Sequence, residues 1–242
     1  MRLRDRVAIV TGAGRGIGRA VALALAAEGC DVALAARTLS ELDSVRAKVE
    51  ELGRRAVIAV CDVTREADVQ ALVERTASEL GGIHIVINNA GGVCRKPLVE
   101  NSVDEWDAVM NSQVRGTFLV TRFALPYLLE AGWGRVLTIA SAAAYIGVAN
   151  RVSYCTAKWG QRGFTAALDE ELRGTGVRAH AVSPGPAATR MRAEGFPHEA
   201  PESLIQPEDV AAQVMNLLTL PETAYIREVY VEQGQPTRYR DL

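Results

Sequence analysis

Short, nearly continuous apolar runs alternate with longer amphipathic stretches along the whole chain. The apolar runs fall at residues 7–10, 32–36, 56–60, 83–87, 136–139, 177–182 and 226–231. Strands covered on both faces have this unbroken pattern, whereas half-exposed strands alternate. The stretches between them have helical periodicity, at 17–28, 40–52, 66–80, 103–109, 116–129, 153–173 and 207–218. The last opens on Pro207, whose missing N–H costs nothing at a first helical position. Strand–helix alternation with short connections implies parallel strands and right-handed crossovers. The pattern predicts one doubly wound α/β domain of the Rossmann type over residues 1–242. Its sheet has about seven parallel strands, with helices on both faces. No linker, repeat or low-complexity tract interrupts it. Residues 191–206, rich in Pro, Gly and Glu, read equally well as a flap over a site or as a surface loop.

A chain of 242 residues with 48% hydrophobic content is long enough to bury a sizeable core. Net charge is −2, which gives no reason to expect a nucleic-acid partner. The four cysteines (30, 61, 94 and 155) form no CxxC and have no His at metal spacing, so they read as free thiols with no metal. His84, His180 and His198 are scattered and read as structural or solvated. The apolar run behind the charged N-terminus is too short for a leader, and no stretch is long enough to span a bilayer. The expectation is a cytoplasmic protein with a small-molecule substrate.

In a doubly wound sheet the first strand–helix turn is where a dinucleotide pyrophosphate binds, at the positive end of the helix. Here that turn is Thr11-Gly12-Ala-Gly14-Arg15-Gly16-Ile17-Gly18. Glycines let backbone N–H groups approach the anion, and the strand before and helix behind give the motif its weight. The tip of the second strand faces the adenosine ribose and often carries a carboxylate in NAD enzymes. This chain has Ala36-Arg37 there. Arg37, with Arg15, is suited to a 2′-phosphate. NADP(H) is therefore the expected cofactor, with NAD(H) as the alternative.

Tyr154 and Lys158 stand four residues apart, on one face of the helix at 153–173. Chance pairing of six Tyr with three Lys yields roughly 0.07 such spacings in a chain this long, so the pair is suggestive alone. A phenol has a pKa near ~10. A neighbouring ammonium favours the phenolate and moves it toward the working range. Ser141 ends a strand thirteen residues earlier and can hold a substrate oxygen without adding charge.

These motifs together resemble the short-chain dehydrogenase/reductase family over essentially the whole length. Thr11 to Gly18 is similar to its T-G-x-x-x-G-x-G turn. Asp62-Val63 resembles the acidic pair at the adenine ring. Asn88-Asn89-Ala90-Gly91 matches its N-N-A-G, which steadies the central strand and borders the cofactor. Pro184-Gly185 and Thr189 resemble the segment beside the nicotinamide carboxamide. The resemblance implies hydride transfer between NADP(H) and a carbonyl or secondary alcohol. In it Ser141 holds the oxygen, Tyr154 is the general acid/base, and Lys158 binds the nicotinamide ribose and lowers the Tyr154 pKa. It also implies a homodimer or homotetramer, although core burial explains the apolar helices around strand five equally well. The 226–231 segment resembles a subset of carbonyl reductases, including 3-oxoacyl-[acyl-carrier-protein] reductase-like ones. Many relatives carry a Gly pair after this strand, where this chain has Glu232-Gln-Gly-Gln-Pro236.

One position departs from the family. Its usual Asn, three residues before Gly116, is Gln113 here. That residue marks a helix kink, and its main-chain carbonyl holds a water in the relay to the Lys. Gln113 keeps the carbonyl, but its longer side chain is not expected to support the kink in the same way. The substrate pocket is expected from 142–148, Val93, Cys94, Pro186 and 191–206. It is mostly small and apolar with Tyr145 as the exception, suiting a modest hydrophobic carbonyl compound such as a ketone or a 3-oxoacyl thioester. The rival readings are a non-catalytic NADP-binding sensor or scaffold, and a dehydratase or epimerase on the same fold.

Overall fold

A computed structural model describes residues 1–221 and 223–234. Gln235 and Pro236, in the segment after the last strand, lie outside the described residues. Seven parallel strands form one sheet in the order β3-β2-β1-β4-β5-β6-β7. They are β1 (Val7–Thr11), β2 (Asp31–Ala36), β3 (Ala56–Val60), β4 (Ile85–Asn88), β5 (Gly134–Ile139), β6 (Val177–Pro184) and β7 (Glu228–Val231). The helices are α1 (Gly16–Ala27), α2 (Leu39–Glu51), α3 (Glu66–Leu80), α4 (Val103–Met110), α5 (Gly116–Glu130), α6 (Val152–Glu171), α7 (Arg190–Gly195) and α8 (Pro207–Leu218). The doubly wound fold expected from the sequence is the one observed.

The two-residue strand period divides the core. Ala8 and Val10 face one layer with Val32, Leu34, Ile85 and Ile87, under α1, α2 and α8. Val7 and Ile9 face the other with Ala33, Ala35 and Val86, against α3 and α5. Both layers are buried, and each fully buried Leu or Ile contributes roughly 1.5–3 kcal/mol over an exposed one. The four cysteines are free and buried. No described helix is long and apolar enough to cross a membrane, and no cluster of metal-ligating side chains occurs among the described residues.

Three details differ from the sequence pattern. Strand β4 begins at Ile85, and just before it the His84 ring accepts the Val7 N–H through Nδ1 at 3.2 Å. The helices expected at 103–109 and 116–129 are one continuous run, joined by a wide π turn at Asn111–Arg115. Residues 191–206 hold α7 and a 3-10 turn, Pro201–Ser203, and are pinned at the base by an Ala187–Ile205 bridge.

Candidate active site

The strand order reverses between β1 and β4, and the chain exits their carboxyl ends to opposite sides. Ligands of open α/β sheets bind in the crevice such a reversal leaves. A cavity of about 1470 Å³ lies there. It runs from the glycine turn, past the ends of β4 and β5, to α7.

At one end, the turn between β1 and α1 is shaped for an anion. Gly12 and Gly16 take left-handed φ of 65° and 53°, where a side chain is strained. Arg15 caps α1 with an extended backbone, no side-chain cap bond and no acidic residue in the first turn, so the first N–H groups face the cavity unblocked. Gly12, Gly14, Arg15, Gly16 and Ile17 line it as expected, but Gly18 does not. A Cβ on Gly18 would collide with the Gly12 carbonyl oxygen and the Asn89 amide, so Gly18 packs the turn from behind.

Thr11 and Asn89 lock this turn to β4. Thr11 Oγ1 donates to the Ile87 carbonyl at 3.2 Å and accepts from the N–H groups of Asn89 and Ala90. The Asn89 amide donates to the carbonyls of Thr11 and Gly12 at 2.9 and 3.2 Å. Asn88 points the other way, donating to Thr121 Oγ1 on α5 at 2.9 Å. Ala90, Gly91, Asp62 and Val63 line the cavity wall, and Pro184, Gly185 and Thr189 close its far side. Thr64 donates through its N–H and hydroxyl to Asp62, holding the Asp62 carboxyl below its usual range.

Arg37 and Arg15 separate into two roles. Arg15 is engaged by Glu41 at 3.1 Å. Arg37 faces the cavity, near enough to Asp62 to lower its pKa, and has no ion pair among the described residues. A glycine turn without a side-chain cap and an uncommitted guanidinium at the ribose end together fit a dinucleotide with a 2′-phosphate.

Ser141, Tyr154 and Lys158 meet at the middle of the cavity. Ser141 follows β5 and accepts from the Ala143 N–H at 3.2 Å, which fixes its rotamer. Tyr154 and Lys158 lie one turn apart on α6, and Lys158 Nζ is 5.6 Å from the Tyr154 ring centroid. Lys158 is 4% exposed and donates to the Ile139 carbonyl at 2.9 Å and to Gln161 Oε1 at 2.8 Å. Burial draws the Lys158 pKa down to about 7. Burial also pushes the Tyr154 hydroxyl up, against the lowering effects of Ser141, Arg151 and Arg95. The sequence expectation that the Lys158 ammonium brings the phenol down is therefore not met by the protein groups alone. Desolvation acts against both charged forms, and the cations that offset it at Tyr154 are Arg151 and Arg95.

Gln113 occupies the π turn, buried. Its side-chain amide donates to the Gly92 carbonyl at 2.9 Å and fills the space a Gly91 side chain would need. The longer side chain is thus compatible with a widened turn. Its main-chain carbonyl accepts from Thr117 Oγ1 at 2.7 Å and from the Gln161 amide at 2.8 Å. The connection from that carbonyl to Lys158 runs directly through Gln161, a residue not singled out in the sequence. Its position three residues after Lys158, on the same helical face, was the available signal.

The substrate end also departs from expectation. Val93, Cys94 and Pro186 line it with Ala142, Ala143 and Ile146 to Val148, and from the 191–206 segment Met191, Arg192 and Phe196 reach it while 197–206 do not. Tyr145 does not line it; its ring packs on Tyr230 at 5.1 Å and under the Arg162 guanidinium at 4.3 Å. Its polar side chains include Arg95, Arg151 and Arg192, beside the Lys96–Glu105 and Arg190–Glu194 ion pairs.

The sequence profile of a family described as short chain dehydrogenase matches residues 6–200. An uncharacterised oxidoreductase of Staphylococcus aureus is 34% identical over 230 residues, covering 95% of this chain and 97% of that one. A metagenomic short-chain oxidoreductase solved in complex with NADP shares 31% identity, with a TM-score of 0.86 over 98% of this chain and 100% of that one. An alcohol dehydrogenase from the archaeon Thermococcus sibiricus, complexed with 5-hydroxy-NADP, shares 27% identity, with a TM-score of 0.88 over 97% and 99% of the two chains.

Proposed function

The chain belongs to the short-chain dehydrogenase family, and we propose that it is an NADP(H)-dependent oxidoreductase interconverting a carbonyl and a secondary alcohol. One observation carries the reading: Ser141, Tyr154 and Lys158 converge on the same cavity as the glycine turn. The NADP-bound relatives and the uncommitted Arg37 support the choice of cofactor.

The cofactor supplies the hydride, and the protein supplies binding and a proton. The turn at Gly12–Gly16 and the N-terminus of α1 hold the pyrophosphate. Arg37 pairs with the 2′-phosphate. Asp62 and Val63 border the adenine, and Asn89 to Gly91, Pro184, Gly185 and Thr189 border the nicotinamide half. Lys158 holds the adjacent ribose. Ser141 donates a hydrogen bond to the carbonyl oxygen, and Tyr154 gives that oxygen its proton as the carbon is reduced. In the oxidative direction Tyr154 takes the proton back. Gln113 and Gln161 act through Lys158 as positioning residues. Half-exposed Phe118 on α5 and Trp159 on α6 support a homodimer or homotetramer joined through these helices, which size-exclusion chromatography with light scattering tests.

The test of the function is oxidation of NADPH and NADH followed by nicotinamide absorbance over oxo acids, ketones, 3-oxoacyl thioesters, quinones and aldehydes. Turnover with NADPH that disappears in Tyr154→Phe supports the reading. Bound cofactor that cycles with no net consumption would replace it with a dehydratase or epimerase. Cofactor-dependent behaviour untouched by Tyr154→Phe would replace it with a sensor.

A further inference from the structure

Three arginines converge on the substrate end of the cavity from three separate elements. Arg95 follows β4, Arg151 caps α6 one turn before Tyr154, and Arg192 lies on α7. Each is held in place. Arg95 Nη2 donates to the Met191 carbonyl at 2.6 Å, and its guanidinium packs against Gly195, where a Cβ would collide with it. The Arg151 and Arg192 guanidinia share the Phe196 ring, 5.0 and 3.7 Å from its centroid.

Their charges are not balanced. Arg192 is gripped by both carboxylate oxygens of Glu199, its Nε at 2.6 Å, which neutralises one of the three. Neither Arg95 nor Arg151 forms an ion pair among the described residues. Arg95 Nε is buried and has no hydrogen-bond partner. Arg151 is half-buried, and its charged form is disfavoured first by desolvation, then by the charges of Arg95 and Arg192. A guanidinium cannot escape by losing its proton. Two partly desolvated cations facing one cavity carry a cost that a bound anion relieves.

We propose that the substrate is a carbonyl compound bearing an oxyanion group, a carboxylate or a phosphate, which Arg95 and Arg151 clasp while Tyr154 addresses the carbonyl. The inference rests on the reductase reading above and names its substrate class. It adds an anionic group to the modest hydrophobic carbonyl compound expected from the sequence. The planar guanidinium fork matches carboxylate and phosphate oxygens in paired hydrogen bonds. Arg151 stands three residues from Tyr154 on one helical face, which sets a short reach between anion and reacting carbonyl. The anionic group is unchanged by the reaction. NADPH would supply the hydride to the carbonyl carbon and Tyr154 the proton to its oxygen, giving NADP⁺ and the corresponding alcohol with its anionic group intact.

The test compares oxo acids of graded length with their methyl esters, and dihydroxyacetone phosphate with dihydroxyacetone, in the wild type and in Arg95→Met and Arg151→Met. The expected result is a kcat/KM higher for the anion than for its uncharged partner by about ten- to hundredfold, the worth of charge-assisted hydrogen bonds. Either substitution should collapse that ratio toward one, chiefly through KM. Preference for acids over the phosphate, or the reverse, identifies the oxyanion. Equal use of acid and ester, with both losing equally in the variants, overturns the inference and leaves the reductase intact. If no compound is turned over, the reductase reading fails separately. Calorimetric titration of levulinate and of inorganic phosphate into the NADP⁺-loaded protein then decides. Binding to wild type that both variants lose sustains the anion site. No binding to wild type, or equal binding to the variants, overturns it.

Discussion

The Lys158 amine donates to the Gln161 side-chain carbonyl at 2.8 Å, and the amide end of that side chain donates to the Gln113 main-chain carbonyl at 2.8 Å. Gln161 thus spans Lys158 and the π turn with no intermediary. Replacing Gln161 by Leu strips Lys158 of one of two acceptors and leaves the Gln113 carbonyl with Thr117 alone. The expected cost is about 1–3 kcal/mol of stability, the usual penalty for orphaning buried polar groups. The Lys158 pKa should fall further below about 7. The pH–rate profile for alcohol oxidation should then lose its alkaline range earlier than in wild type, and Gln161→Glu should restore it. An unchanged profile in Gln161→Leu would reduce the residue to a packing role.

Lys158 also makes stability depend on pH in a defined direction. An unfolded lysine titrates near ~10.4, while the folded one titrates at about 7. Between these values the unfolded chain holds more protons, so stability rises with pH across that window. Below it, the folded state bears the full cost of a buried charge. Lys158→Met should flatten this slope and raise Tm at neutral pH, by about 2–4 °C for each kcal/mol recovered in a domain of this size. Thermal unfolding of both proteins across the window checks it. A lower Tm in Lys158→Met at every pH would show that its two hydrogen bonds outweigh desolvation.

The two arginines at the adenosine end should separate in cofactor kinetics. Arg37→Ala should raise the KM for NADPH by about ten- to hundredfold while leaving that for NADH nearly unchanged. Arg15, already paired with Glu41, should matter only a few-fold. Initial rates with both cofactors test this, and equal NADPH losses in the two variants would reassign the 2′-phosphate site.

Glycines of similar sequence appearance should differ sharply. Gly18→Ala drives a methyl group into the Gly12 carbonyl and should cost more than about 2 kcal/mol. Gly163 on α6 has nothing in its own chain near its missing Cβ, so Gly163→Ala should stabilise the isolated subunit by up to about 1 kcal/mol. Chemical denaturation of the two variants reads both signs.

The fold was legible because each strand is a continuous apolar run and each helix keeps its own period. The glycine turn, Asn88 to Gly91 and the Ser141, Tyr154 and Lys158 set were legible because they are local motifs anchored to those elements. Gln161 and Arg151 were within reach, since each stands three residues from Lys158 or Tyr154. Arg95 and Arg192 were not legible. Arg95 meets Met191 across 96 positions and Arg192 lies on the short α7, so only tertiary packing places them on one cavity. Tyr145 was misplaced because a residue next to a catalytic strand end can point to either side, and Tyr230 and Arg162 hold it away.

The measurement that bears most directly on the central claim is the rate of NADPH oxidation by the wild type and by Tyr154→Phe on the best substrate of the panel, with NADPH affinity measured alongside. General acid catalysis by Tyr154 predicts a fall of about 10²–10⁴ in rate with cofactor binding retained. A variant that keeps its rate within a few-fold would contradict the assignment of Tyr154 as the proton donor and with it the proposed reaction.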